Sequence, residues 1–254
     1  MAHYDGLMSA LSSSATGSSG LSHAWHTAAD AAALARDLAL TVAGLLRAGI
    51  AERGQALLIV SGGSTPLPFF EALAQQLLPW AQVTITLADE RWVPATHPDS
   101  NERLVRAHLL QGHAAPARFV PLFNGAASPQ AAQAALDAVL RSLPWPADAV
   151  VLGMGGDGHT ASLFPHAAEL HQALDLDDAG RCIAVGAPSA PNVPVPRISL
   201  TARALLDARQ VLIHVTGAAK VELLRQAMQP GPVAEWPIRL ALHQQQAPCH
   251  IFQA

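Results

Sequence analysis

Short apolar runs alternate along this chain with longer stretches in which Ala and Leu mix with polar residues. Apolar runs bounded by Gly, Pro or polar residues suit strands buried on both faces of a parallel sheet. Such runs fall at 56–60, 83–88, 118–122, 149–152, 182–185, 210–215 and 249–252. Helical stretches fall between them. One covers 28–48 and is ended by Gly49; another covers 66–78, with Pro66 at its start where the missing N–H costs little. A third covers 101–110, with Asp99 and Glu102 spaced as a capping box. The remainder lie at 130–143, 201–208 and 218–228. Strands alternating with helices, without an internal repeat, predict an α/β fold: a single Rossmann-like domain with a mostly parallel sheet flanked by helices on both faces. Residues 25–254 are read as that domain. Residues 1–24, with Ser, Gly and Ala dominating 9–22, are read as a flexible tail. The Pro-rich stretch 188–196 is read as a loop near the site rather than a domain boundary.

Composition narrows the class. Half of the 254 residues are hydrophobic and only 13% are charged, yet no apolar run is long enough to span a bilayer. The net charge of −4 provides neither a basic footprint for nucleic acid nor a polybasic patch for a membrane surface. Cys182 and Cys249 lack metal-type spacing and suit a reducing compartment. No Lys or Arg precedes Arg36, which argues against a secretory n-region and against an Arg-rich transit peptide, and a cytoplasmic location is expected. The expected form is a monomer or small homo-oligomer.

Chemistry concentrates where strands end. Residues 150–165 read VVLGMGGDGHTASLFP: a buried strand, a bend with Gly153, Gly155, Gly156 and Gly158, then Asp157 and His159. Glycines let backbone turn sharply and approach a ligand, and open α/β sheets bind ligands at the carboxyl edge. An imidazole beside a carboxylate there is a general base with an orienting partner. GMGGDG also satisfies the dinucleotide fingerprint, but that site needs a helix starting at the third glycine, and Pro165 interrupts too soon.

Three further segments follow strands. SGGSTP places Gly62, Gly63, Ser64 and Thr65 before a helix, where backbone N–H groups and hydroxyls form an anion cradle without the G-K-[ST] of a Walker loop. DERWVP places Asp89, Glu90 and Arg91 together, and HPDSN adds polar groups; an arginine there can grip a phosphate or a carbonyl oxygen with paired donors. Lys220, in TGAAK, is the chain's only lysine. A cation in a helix's first turn opposes the macrodipole unless an anion is near, and a bound phosphate resolves the conflict. Arg197, in PRISL, is a second phosphate candidate or a surface arginine. No H-E-x-x-H, no clustered His/Cys set and no G-x-S-x-G elbow occurs, so neither a metal nor a serine nucleophile is predicted, and activity is expected to survive EDTA.

These segments, in this order, resemble the 6-phosphogluconolactonases, a branch of the glucosamine-6-phosphate isomerase superfamily, over nearly the whole chain from about residue 34. The resemblance implies hydrolysis of 6-phospho-D-glucono-1,5-lactone to 6-phosphogluconate in the pentose phosphate pathway, without cofactor. It implies that His159 draws a proton from the attacking water and that Asp157 orients or charge-balances it. Gly62, Gly63, Ser64, Thr65, Asp89, Arg91, Arg197 and Lys220 would bind the substrate. The Ser-rich tail and Ser199, where threonine is common, are departures. Two rivals share the sugar-phosphate reading. An isomerase/deaminase resembles G-H-x-A-F-N-E-P, with a glutamate five residues after the histidine; this chain has Phe164 there. A non-catalytic sensor linked to transcription would need a basic helix-turn-helix, which the N-terminal stretch, without Lys or Arg, is not expected to supply.

Overall fold

A computed structural model describes residues 23–254, so the expected tail, apart from its last two residues, lies outside the described residues. Seven strands form one wholly parallel sheet in the order β1-β10-β9-β6-β2-β3-β5. They are β1 (Ala24–Thr27), β2 (Ala56–Val60), β3 (Val83–Leu87), β5 (Arg118–Val120), β6 (Ala149–Leu152), β9 (Val211–Val215) and β10 (Cys249–Gln253). Strands β2, β3, β6, β9 and β10 are buried along their full length, as covering on both faces requires. A second, antiparallel sheet orders β4 (Asp89–Arg91), β8 (Arg197–Leu200) and β7 (Cys182–Val185). The sequence reading placed β7 but not its partners β4 and β8, nor β1, because strands of three or four residues that include charged or polar side chains give no apolar run.

Helix α1 (Ala31–Arg53) packs on β2, β6 and β10 and against α2 (Leu67–Ala74). Asp30 caps α1 by accepting from the Ala33 N–H at 2.7 Å. The helix ends at Gly54, which takes φ +75° and donates its N–H to Ile50 O at 2.8 Å. The expected stop at Gly49 is therefore wrong. Gly49 is buried inside the helix, where a Cβ would come within 2.1 Å of the Asp148 carboxylate. That carboxylate binds Arg53 at 2.6 Å and the Leu57 N–H at 2.8 Å, so the glycine serves close approach rather than termination.

Helix α2 stops at Ala74, short of the expected 78, and the turn that follows lets the Trp80 indole donate to Gln76 O at 2.9 Å. Helix α3 (Asn101–His108) is capped by Ser100, not Asp99: the Ser100 hydroxyl accepts from the Arg103 N–H, and Glu102 pairs with Arg106 at 2.7 Å. Helix α4 (Pro129–Arg141) packs on β7 and β8; α5 (Leu170–Leu174), α6 (Ala202–Leu206), α7 (Ala218–Ala227) and α8 (Arg239–Leu242) complete the framework. Among the described residues no helix is long and apolar enough to cross a membrane.

The topology selects one edge for chemistry. From β2 the chain steps outward through β3 to β5, then returns to β6 on the other side of β2 and steps outward through β9 and β10. Strand order thus reverses between β2 and β6, and the crevice outside their carboxyl ends is where open α/β sheets bind ligands. Val60 and Val151 are register partners there, so the loops that follow the two strands diverge from one point.

Candidate active site

At that switch point lies a cavity of about 270 Å³, near the lower end for small-molecule sites. Each flanking strand delivers one segment. After β2, Ser61 accepts the Gly153 N–H on its hydroxyl at 3.3 Å, joining the first two loops, and Gly62 to Thr65 line the cavity ahead of α2. Gly62 has no room for a side chain, because a Cβ would fall within 1.9 Å of Asn101 Oδ1. Gly63 adopts φ +96°, a conformation side chains disfavour.

After β6 the chain forms a loop without a helix until Leu170, which removes the helix N-terminus that a dinucleotide site requires. In this loop His159 Nδ1 lies 2.5 Å from Asp157 Oδ1, and the His159 N–H donates to the same oxygen at 3.1 Å. Asn192 donates to the other carboxylate oxygen at 3.3 Å. Burial alone pushes the Asp157 carboxyl up, but the His159 ring and N–H with Asn192 together hold it well below the usual carboxylate range. The imidazole lies on the Gly155 backbone, where a Cβ would come within 2.1 Å of the ring, and its face meets Phe164 at 4.5 Å between centroids. With Nδ1 committed to Asp157, Nε2 is the nitrogen left to act on a ligand.

The small antiparallel sheet forms the opposite wall. Arg91 and Arg197 are register partners on β4 and β8. Arg197 is only 3% exposed, so it is not a surface arginine; it donates to Val193 O at 3.1 Å and lies 3.8 Å from Asp89. Asp89 also accepts from the Ser162 hydroxyl at 2.5 Å and from Asn101 at 3.4 Å. Arg91 donates to Asp99 O at 2.6 Å and leaves Nε without a partner. Behind them Glu90 is fully buried. It accepts the N–H groups of Arg91, Asn101 and Glu102 at 2.7–2.8 Å and the Ser100 hydroxyl at 3.1 Å. Burial pushes its carboxyl up to about 7 against the pull of those donors. Lys220 closes the third side from the first turn of α7.

All the residues nominated from sequence border this cavity except Asp157, which stands behind His159. Asn101, Asn192 and His214 also border it and were not nominated. Asn101 and Asn192 lie in segments already marked as polar or near the site. His214 is a single polar residue inside an apolar strand, a signal that was legible and passed over. Among the described residues no group of three His, Cys, Asp or Glu side chains is arranged to hold a metal.

A cleft at a strand-order reversal, with paired arginines, a lysine at a helix start and a carboxylate-held histidine, defines an α/β protein built to take a small anionic ligand. Residues 29–250 match the family model of glucosamine-6-phosphate isomerases/6-phosphogluconolactonase. The chain is 49% identical over 218 residues to a 6-phosphogluconolactonase of Pseudomonas putida, covering 86% of this chain and 88% of that one. It is 46% identical over 235 residues to one from Mesorhizobium japonicum, covering 92% and 97%. A crystal structure of a 6-phosphogluconolactonase from Shewanella baltica superposes with a TM-score of 0.87 at 41% identity, covering 91% and 97%. The chain belongs to the glucosamine-6-phosphate isomerase/6-phosphogluconolactonase family.

Proposed function

We propose that this chain hydrolyses 6-phospho-D-glucono-1,5-lactone to 6-phospho-D-gluconate, the lactone-opening step of the oxidative pentose phosphate pathway. His159 Nε2 takes a proton from water as the water oxygen attacks the lactone carbonyl carbon. The tetrahedral oxyanion then collapses, the bond to the ring oxygen breaks, and the imidazolium returns its proton to that oxygen. Asp157 keeps Nδ1 protonated and stabilises the imidazolium as it forms. Arg91 and Arg197 hold phosphate or sugar oxygens; Lys220 and the turn Gly62, Gly63, Ser64 and Thr65 hold the phosphate, and Asp89 anchors Arg197 while bordering the sugar. The two cysteines are buried and unpaired, which supports a reducing, cytoplasmic setting.

One observation carries the choice within the family. Moving a proton between carbons needs an acid–base group beyond the histidine, and the position five residues on is Phe164, whose ring packs on the imidazole instead. Asp157 is the carboxylate hydrogen-bonded to that imidazole, and it is occupied in orienting it. The test gives purified protein freshly made 6-phosphogluconolactone and, in parallel, glucosamine 6-phosphate. Acid release above the spontaneous rate with no ammonia is expected; ammonia release without lactone hydrolysis would overturn the reading.

A further inference from the structure

His214 is the one ionisable residue of the cavity wall that the chemistry above leaves idle. It is the fourth residue of β9, whose other four are Val211, Leu212, Ile213 and Val215. A polar side chain at such a position costs stability unless it finds a hydrogen bond. His214 is 4% exposed and its ring makes no hydrogen bond among the described residues; Nε2 is sealed off without a partner, whereas Nδ1, equally unpaired, is not sealed and is the nitrogen that can reach the cavity. The surrounding elements offer none. Helix α2 presents the Phe69 ring at 6.2 Å between centroids, and the register partner on β10 is Phe252. The charged group acting on it is Lys220 of α7. Burial first, and then that ammonium, press the imidazole down to about 4, so it is neutral at pH 7 with one donor and one acceptor.

Histidines that only support a fold have their nitrogens tied to backbone or side chains. This one is left unpaired on the wall of the cavity that Lys220 also borders, within reach of that ammonium's field. We propose that His214 is a specificity-determining ligand of the substrate's phosphate, donating its N–H beside Lys220 so that the site distinguishes phosphorylated from unphosphorylated lactones. The inference rests on the reading of Lys220 as a phosphate ligand. A phosphate oxygen is an acceptor, which matches the tautomer that carries its proton on Nδ1. As a neutral group, His214 adds a contact without placing a second buried cation beside Lys220 in the empty site.

The experiment compares His214→Leu, His214→Gln and Lys220→Met on 6-phosphogluconolactone and on unphosphorylated gluconolactone, with Tm for each. A hydrogen bond to a charged group is worth roughly a factor of ten or more in binding. His214→Leu is expected to lose about 10-fold in kcat/KM on the phosphorylated lactone, through KM rather than kcat, with the loss confined to that substrate. Tm holds or rises, because an unpaired polar group leaves the core. His214→Gln, which retains a donor, recovers part of the loss. Unchanged KM in His214→Leu, or equal losses on both substrates with a lower Tm, would overturn the proposal. If Lys220→Met discriminates between the substrates and His214→Leu does not, only the His214 inference falls; if neither does, the phosphate assignment of this end falls with it. In the wild-type protein, the His214 imidazole nitrogen resonances should shift with 6-phosphogluconate and not with gluconate. Equal shifts, or none, also overturn it.

Discussion

His159 Nδ1 sits 2.5 Å from Asp157 Oδ1, and this one contact decides which end of the imidazole meets the substrate. Asp157→Asn retains an oxygen that can accept from Nδ1 but deletes the charge that balances an imidazolium. We expect kcat to fall about 10-fold or somewhat more, within the range for orienting and electrostatic help but below that for loss of a base. The folded-state pKa of Asp157 lies below its ordinary 3.8, so the contribution of the pair to stability is present above that pH and lost on acidification. The stability gap between wild type and Asp157→Asn should narrow below about pH 4, as read by urea unfolding across pH. A gap independent of pH would contradict the assignment.

Gly155→Ala tests the seat of the base without touching it. The new Cβ would fall 2.1 Å from His159 Cε1 and 2.2 Å from Nδ1, so the ring must shift. A displacement of about 1 Å at a reacting group costs on the order of 10²-fold in rate. Circular dichroism should remain native while kcat falls by about that factor. A fully active Gly155→Ala would mean that the imidazole position is not critical.

Lys220→Met keeps most of the stem and removes the charge. Loss of a charge-assisted hydrogen bond worth roughly 1.5–3 kcal/mol lowers kcat/KM on the phosphorylated lactone by about 10- to 150-fold. Folding stability should hold or rise slightly without ligand, because a cation leaves the positive end of α7. Equal losses on phosphorylated and unphosphorylated lactone would place Lys220 at the ring instead.

Glu90 ties β4 to the start of α3, and its titration should be visible in stability. Its folded-state pKa is raised from 4.5 to about 7, so its favourable contribution is complete below about pH 4.5 and is lost as pH rises through about 7. Glu90→Gln removes that dependence. It also turns an NH₂ toward backbone donors that both carboxylate oxygens now accept, at a cost of about 1–3 kcal/mol. Urea unfolding at pH 5 and pH 8 should show a smaller difference in Glu90→Gln than in wild type. An unchanged difference would assign the pH dependence elsewhere.

Much of this was readable from the chain because burial and period agree where strands are central. The runs at 56–60 and 149–152 are central strands with those bounds, and 182–185 is the outer strand β7 with its bounds, since each is apolar throughout and ends at a polar or glycine residue. Sequence failed where tertiary contact overrides local preference. Gly49 reads as a helix stop until Asp148 is seen lying against it. Ser100 outcompetes Asp99 as the cap because Glu90 already gathers the N–H groups of Asn101 and Glu102. The strand at Asp89–Arg91 is held by pairing with Arg197–Leu200, about a hundred residues on, and no local pattern announces it. The site's strand-end motifs were legible one by one. Their meeting in one cleft depended on strand order, which periodicity does not encode.

The most direct measurement is the turnover of 6-phosphogluconolactone by His159→Ala, followed by acid release under saturating substrate. A general base contributes about 10²–10⁴-fold, so kcat should fall by that factor while far-UV circular dichroism and 6-phosphogluconate binding stay near wild type. A correctly folded His159→Ala with kcat close to wild type would contradict the account, because no other group in the cleft has been given the proton.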